Sequence, residues 1–211
     1  LSLSIRSINS TDREVREFGE INYKNLKLSY FLETLREVIS YFENETLKDR
    51  DDSPISHSLF LDMLAEKLNS SRDDVIVFLN NLVAFGEYIR NKKLNQGALP
   101  RSYVWNLSNF LLEFFENDSK DTVRLITKED VLRLELFSID PKPITSVVEK
   151  VHSSIHMSGT LRPLDEYESL VFENVRPKKA SYPSPFPPEN LKVYYIDNVT
   201  TKYEIIERNS E

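Results

Sequence analysis

The sequence predicts a mixed α/β fold in which a helical unit is followed by part of a parallel-sheet domain. Three observations carry that expectation. Apolar residues recur at helical spacing over residues 12–117. Alternation with a period of two replaces that spacing after Asp121. Short strand and helix patterns then follow one another as far as residue 172, the order that builds parallel sheets.

Each element has its own signal. Thr11 followed by Glu14 fits a helix-opening capping box. Val15, Phe18 and Ile21, then Leu28, Phe31, Leu32, Leu35, Val38, Ile39 and Phe42, predict one long or broken helix. A polar stretch over 48–54 ends it, and Glu43, Glu45, Asp49, Asp51 and Asp52 make an acidic turn that should point away from any nucleic acid. Leu59, Met63, Leu64 and Leu68 mark a shorter helix ending near Asn69. Ser71 with Asp74 is another capping pair, opening a helix with the stripe Val75, Phe78, Leu79, Leu82, Phe85 and Ile89. Gly97 and Pro100 break the chain before a fourth helical face of Val104, Leu107, Leu111, Phe114 and Phe115.

Beyond Asp121, Val123, Leu125, Leu132, Leu134 and Leu136 are set against Arg124, Arg133 and Glu135, the alternation of half-buried strands. Residues 144–151 read as a helix, 153–157 as a buried strand, and 163–172 as a second helix with Pro163 suited to its first turn. Prolines 177, 183, 185, 187 and 188 make the next segment extended and stiff, and 192–196 reads as a further strand.

Composition narrows the function. The 211 residues are 40% hydrophobic and 11% aromatic, ordinary for soluble protein, and no apolar run approaches membrane-spanning length. There is no cysteine, so neither a disulfide nor a thiolate-held metal is expected, and His57, His152 and His156 lack metal-ligand spacing. A net charge of −7 argues against a surface that wraps duplex DNA over a long stretch, because such affinity comes from phosphate neutralisation. Local single-strand contacts remain open. Arg90, Lys92, Lys93 and Arg101 against Glu87 make one basic patch, and Arg176, Lys178, Lys179 and Lys192 make another.

Three stretches carry a resemblance. Leu132-Arg-Leu-Glu-Leu-Phe-Ser-Ile-Asp140-Pro141 comes first. His156-Met-Ser-Gly-Thr160-Leu-Arg-Pro-Leu-Asp165-Glu-Tyr167 follows. Last come Ser184-Pro-Phe-Pro-Pro-Glu-Asn190, residues 193–197 and Thr200-Thr-Lys-Tyr203. In that order they resemble, in XPD-type DNA helicases, the strand before motif III, motif III itself, and the approach to the second motor domain. The resemblance implies a RecA-like motor-domain end over 1–10, a helical Arch-like insertion over 11–125, a return to the RecA-like domain with motif III over 126–176, and a linker with the start of the second motor domain over 177–211.

It also implies a parent enzyme that is an ATP-dependent 5′ to 3′ helicase of nucleotide excision repair, using ATP, Mg2+ and a 4Fe-4S cluster. That parent is expected to be a monomer of the prokaryotic cell interior, nucleoid-associated, acting on single-stranded DNA, with a repair or transcription-factor partner on the helical insertion. This chain has no G-x-x-x-x-G-K-[ST] loop, no Asp-Glu-Ala-His and no cysteine, so it should not hydrolyse ATP alone or ligate the cluster.

On that resemblance Ser158, Gly159 and Thr160 are the coupling group. Their hydroxyls and amides either hold the magnesium-binding box in register or contact a DNA phosphate, with Gly159 supplying an unusual backbone angle. Asp165 and Tyr167 set the following helix, the first by its charge at the helix start and the second by packing. Lys202 is a phosphate contact or a surface lysine beside a packed tyrosine. Phe186 anchors the linker or stacks on DNA. Tyr103, Trp105 and Phe110, close in sequence to the first basic patch, are either base-stacking platforms or core. A non-enzymatic module that grips a partner protein through an exposed apolar groove is the alternative.

Overall fold

The computed structural model describes residues 1–48, 50–117 and 119–194. After a short strand β1 (Ser2–Ser4), α1 (Ile5–Phe18) begins well ahead of the expected Thr11. Ser4 caps it, its hydroxyl accepting the Ser7 N–H at 3.1 Å. Thr11 therefore lies mid-helix and donates to the Ser7 carbonyl at 3.0 Å, which leaves Glu14 to contacts outside its own helix. Gly19, at φ 104°, ends α1. The hairpin β2 (Asn22–Tyr23) and β3 (Leu26–Lys27) separates it from α2 (Leu28–Phe42), so the helix expected as long or broken is broken.

A π-turn over Glu43–Leu47 leads to β4 (Asp52–Pro54), a strand inside the polar break. Then come α3 (His57–Lys67), α4 (Arg72–Asn95) and α5 (Tyr103–Glu116). Their caps are Ser56, Ser71 and Ser102, each hydroxyl accepting a backbone N–H three residues on.

The expected parallel sheet is replaced, among the described residues, by an antiparallel one. β5 (Thr122–Lys128) and β6 (Leu132–Ser138) form a hairpin over the turn 129–131, and such a short turn joins only antiparallel strands. β1 adds to β6 and β4 to β5, giving the order β1-β6-β5-β4. Leu134 and Leu136 face the helices as the alternation predicts, but β5 is offset by one. Arg124 and Ile126 point inward, and Val123 and Leu125 are half-buried on the other face. The reason is a bond the period does not encode. The Arg124 guanidinium donates to the Phe114 carbonyl at 2.6 Å and to that of Asn117, satisfying acceptors left over at the end of α5.

One hydrophobic cluster runs from Leu3 through all five helices to Leu136, so helices and sheet share a core. Phe60 sits among rings, 5.2 Å from Phe42, 5.9 Å from Phe114 and 6.0 Å from Phe115. Burying such a side chain contributes about 1.5–3 kcal/mol. The sequence boundary at 125/126 falls within β5.

Past Ser138 the character changes. Two single turns, α6 (Lys142–Thr145) and α7 (Val147–Lys150), stand where one helix is expected. Residues 153–157 form no strand, and Ile155 and Met157 are 84% and 86% exposed. An extended segment becomes a strand only with a ladder partner, and none of the described residues supplies one. The helix expected over 163–172 is present as α8 (Leu164–Val171), with Pro163 at the cap position rather than in the first turn. Residues 192–194 are not a strand, and Phe186 is exposed rather than anchored. Among the described residues no helix is long and apolar enough to cross a membrane.

Candidate nucleic-acid interface

The first basic patch is organised by a close approach of two helices. A Cβ on Gly86 would lie 2.6 Å from the backbone N and Cβ of Trp105, so only glycine lets α5 start directly against α4. One turn further along α4, the Arg90 guanidinium lies 4.6 Å from the Trp105 ring centre, and its Nε donates to the Pro100 carbonyl at 3.2 Å. Lys93 Nζ donates to the Glu14 carboxylate at 2.6 Å and to the Arg101 carbonyl at 2.8 Å. Glu14, almost fully buried, also accepts from the Ser102 hydroxyl at 2.8 Å and the Val104 N–H at 2.9 Å. It is the node that ties α1, α4 and the start of α5 together, a role its place in a capping-box pattern conceals.

The node divides the seven candidates of this region. Lys93 is committed to it, and Arg90 and Trp105 are committed to each other. Phe110 is core, 5% exposed and 5.6 Å from Phe114. Lys92, Arg101 and Tyr103 face solvent. Tyr103 and Lys93 border a hollow of 170 Å³ with Arg13, Glu14 and Glu17, and Tyr103 borders a second, of 450 Å³, with Trp105, Asn106 and Phe110. The Trp105 indole nitrogen is buried without a hydrogen-bond acceptor. Sequence reasoning missed Arg13 and the tertiary role of Glu14. The available signal for Glu14 was an acid on the buried stripe Ile8, Thr11, Val15.

In the motif III-like stretch, the Ser158 hydroxyl accepts the Thr160 N–H at 3.1 Å and lies 3.2 Å from the Thr160 hydroxyl. All three residues are exposed. Gly159 does not take the unusual angle expected of it: it is not among the residues with positive φ, and a Cβ there would meet nothing within 4 Å. Beside this turn is a hollow of 590 Å³ lined by Val148, His156, Leu161, Tyr167 and Phe172 among others. His156 Nδ1 and the Tyr167 hydroxyl share a 2.6 Å hydrogen bond, and their rings meet edge-on at 5.8 Å, which ties α8 to the segment before the turn.

Polar ties hold this region. The Glu149 carboxylate takes the N–H groups of Glu173 and Asn174 at 2.6 and 3.1 Å, and the Glu173 bond above all holds its pKa below the usual carboxylate range. Lys179 bonds Asp165, and it bonds Glu168 at 2.5 Å; Arg176 bonds Glu168 at 3.0 Å. The Lys179 hydrogen bond is the main reason both acids are shifted down. Asp165 sits in the first turn of α8, as its charge predicts. Two of the four cations of the second basic patch are thus paired, and Lys178 and Lys192 are exposed. Lys202 lies outside the described residues.

Helices packed on an antiparallel bridge of strands, with cations and aromatics gathered where α4 meets α5, define a helical domain closed by a β-bridge. The chain belongs to the helical and beta-bridge domain family, whose model matches residues 12–204. That domain is found in XPD-type helicases, and the match is consistent with a helicase-associated region. With no cysteine, this chain offers no thiolate to an iron-sulfur cluster.

Proposed function

We infer that this chain is the strand-guiding part of an ATP-dependent 5′ to 3′ DNA helicase serving nucleotide excision repair. The observation that carries the reading is the solvent-facing pair Arg101 and Tyr103 at the Glu14 node, with Lys92 exposed on the adjoining face of α4, in a chain of a helicase-associated family. Cations there meet phosphates, and an exposed ring accepts a base without reading sequence. The pairing of β1 with β6 supports the reading too. Ser2 lies opposite Glu135 and Ser4 opposite Arg133, so the chain enters and leaves the helical unit side by side, as an insertion in a host domain must.

In this reading ATP and Mg2+ are held by other parts of the parent enzyme. The exposed hydroxyls of Ser158 and Thr160 bridge to that machinery and couple turnover to strand movement. The parent acts as a monomer on single-stranded DNA, and a repair or transcription partner docks on the helical unit.

The test is fluorescence anisotropy of a short single-stranded oligonucleotide with the full native protein, recorded alongside DNA-stimulated ATP turnover. Arg101→Ala/Tyr103→Ala should weaken binding. Ser158→Ala/Thr160→Ala should keep binding and lose the stimulation. If wild type engages neither DNA nor ATP at low salt, the helicase reading fails. The protein-interaction module then takes its place, with the exposed apolar residues of 144–157 as its surface.

A further inference from the structure

A second aromatic site lies on α4, away from α5. Phe85, Tyr88 and Lys92 fall on one stripe of that helix at spacings of three and four residues. The Phe85 and Tyr88 rings are 6.3 Å apart and inclined by 15°, a stacked pair. Phe85 packs against the hydrophobic core, whereas Tyr88 is 54% exposed. Lys92 Nζ lies over the Tyr88 ring at 6.0 Å from its centre and over that of Phe18 at 5.1 Å, while the residue is exposed.

We propose that Phe85, Tyr88 and Lys92 form a binding site for one nucleotide of single-stranded nucleic acid, with the base on Tyr88 and its phosphate on Lys92. The inference rests on the strand-guiding reading and adds to it a specific platform. Phe85, half-buried against the core, restrains Tyr88 from one side, and a base laid on the other face takes the place of the Lys92 ammonium, which swings on its stem to the phosphate. The cation is four residues on, on the same face, where a backbone phosphate of a stacked nucleotide comes within reach of a flexible four-carbon stem. Glu87, the neighbouring acid, is next in sequence to Tyr88 and therefore turned about a hundred degrees around the helix from it. Such a site takes any base, because every base has a π-face and neither Tyr88 nor Lys92 reads an edge.

Anisotropy titrations of the full native protein test this, using a thymidine oligomer and an abasic oligomer of the same length, with thermal melting of each variant as the control for folding. Tyr88→Leu should weaken thymidine binding at least about fivefold, the lower end of base-aromatic stacking. It should leave abasic binding and the melting temperature unchanged, and Tyr88→Phe should bind as wild type does. Lys92→Ala should weaken both oligomers and lower the slope of log affinity against log salt by about one. If wild type binds the thymidine oligomer and Tyr88→Leu binds it equally well, the platform is overturned while the strand-guiding reading survives. If wild type binds neither oligomer at low salt, that reading falls and the platform falls with it.

Discussion

Residues 1–138 bury Phe31, Phe60, Phe78 and Phe114 completely, whereas residues 142–194 bury just two hydrophobic side chains, Val171 and Phe172. The first region is held by apolar contact shared between helices and sheet. The second is held by Glu149 gathering the N–H groups after α8, by Lys179 and Arg176 on the acids of α8, and by His156 on Tyr167. The difference teaches what each can do. A region with its own core keeps its shape through a cycle of binding and release, and a region of exposed polar ties is easily rearranged. A coupling element needs the second property and a guide needs the first.

The comparison breaks most sharply at Phe60. Phe60→Ala should cost about 3–5 kcal/mol, because the ring touches three others and its cavity cannot collapse, and the loss should appear in chemical denaturation of helices and sheet together. Glu14→Ala comes next, at about 1–3 kcal/mol. It leaves Lys93, the Ser102 hydroxyl and the Val104 N–H without their acceptor, and Glu14→Gln should recover part of the loss by keeping the two neutral bonds.

Gly86→Ala should cost a similar about 1–3 kcal/mol, since a methyl group forces α4 and α5 apart. Trp105 is the one tryptophan of the chain, so its emission should shift as Arg90 loses the ring. A normal emission spectrum would show that the helices do not need this approach.

The smallest effect belongs to pH and sharpens the contrast. Glu149, Asp165 and Glu168 bind protons less readily than ordinary carboxylates. Their contribution is therefore complete above the usual carboxylate range and is lost as pH falls through their lowered folded-state values. Protection of the Glu173 and Asn174 amides, measured against the intrinsic exchange rate at each pH, should fall in acid before that of α2 or α5 does. An equal fall in protection everywhere would show that the two regions open as one.

Much of the first region is legible in sequence because its cause is periodic. Phe78, Leu79 and Leu82 are where a helical stripe places them, and Ser71 caps α4 as a serine before an acidic turn should. What stays hidden is decided by partners far off in the chain. Arg124 reads as a solvent-facing residue of an alternating strand, and only the carbonyls ending α5 turn it inward. Glu14 reads as a cap until Lys93 and Ser102 arrive. Residues 153–157 look like a buried strand by composition, but burial needs neighbouring strands, which no local pattern can supply. At the candidate site, the cations and rings of residues 90–110 are visible in sequence. Which of them face solvent depends on Gly86, whose lack of a side chain is a weak signal in a helix.

The pairing of β1 with β6 has a consequence for the order of events at synthesis. The backbone of Leu1 bonds that of Leu136, 135 positions later. On the ribosome, residues 2–4 precede every helix of the unit and wait while α1 to α5 emerge, because their partner strand follows all five. Until then α1 to α5 must collapse on themselves with one face of their core uncovered, and closing so long a loop is slow. The bridge is then the latch of the unit: the helices gather early, and the hairpin of β5 and β6 locks them by capturing a strand made just before α1.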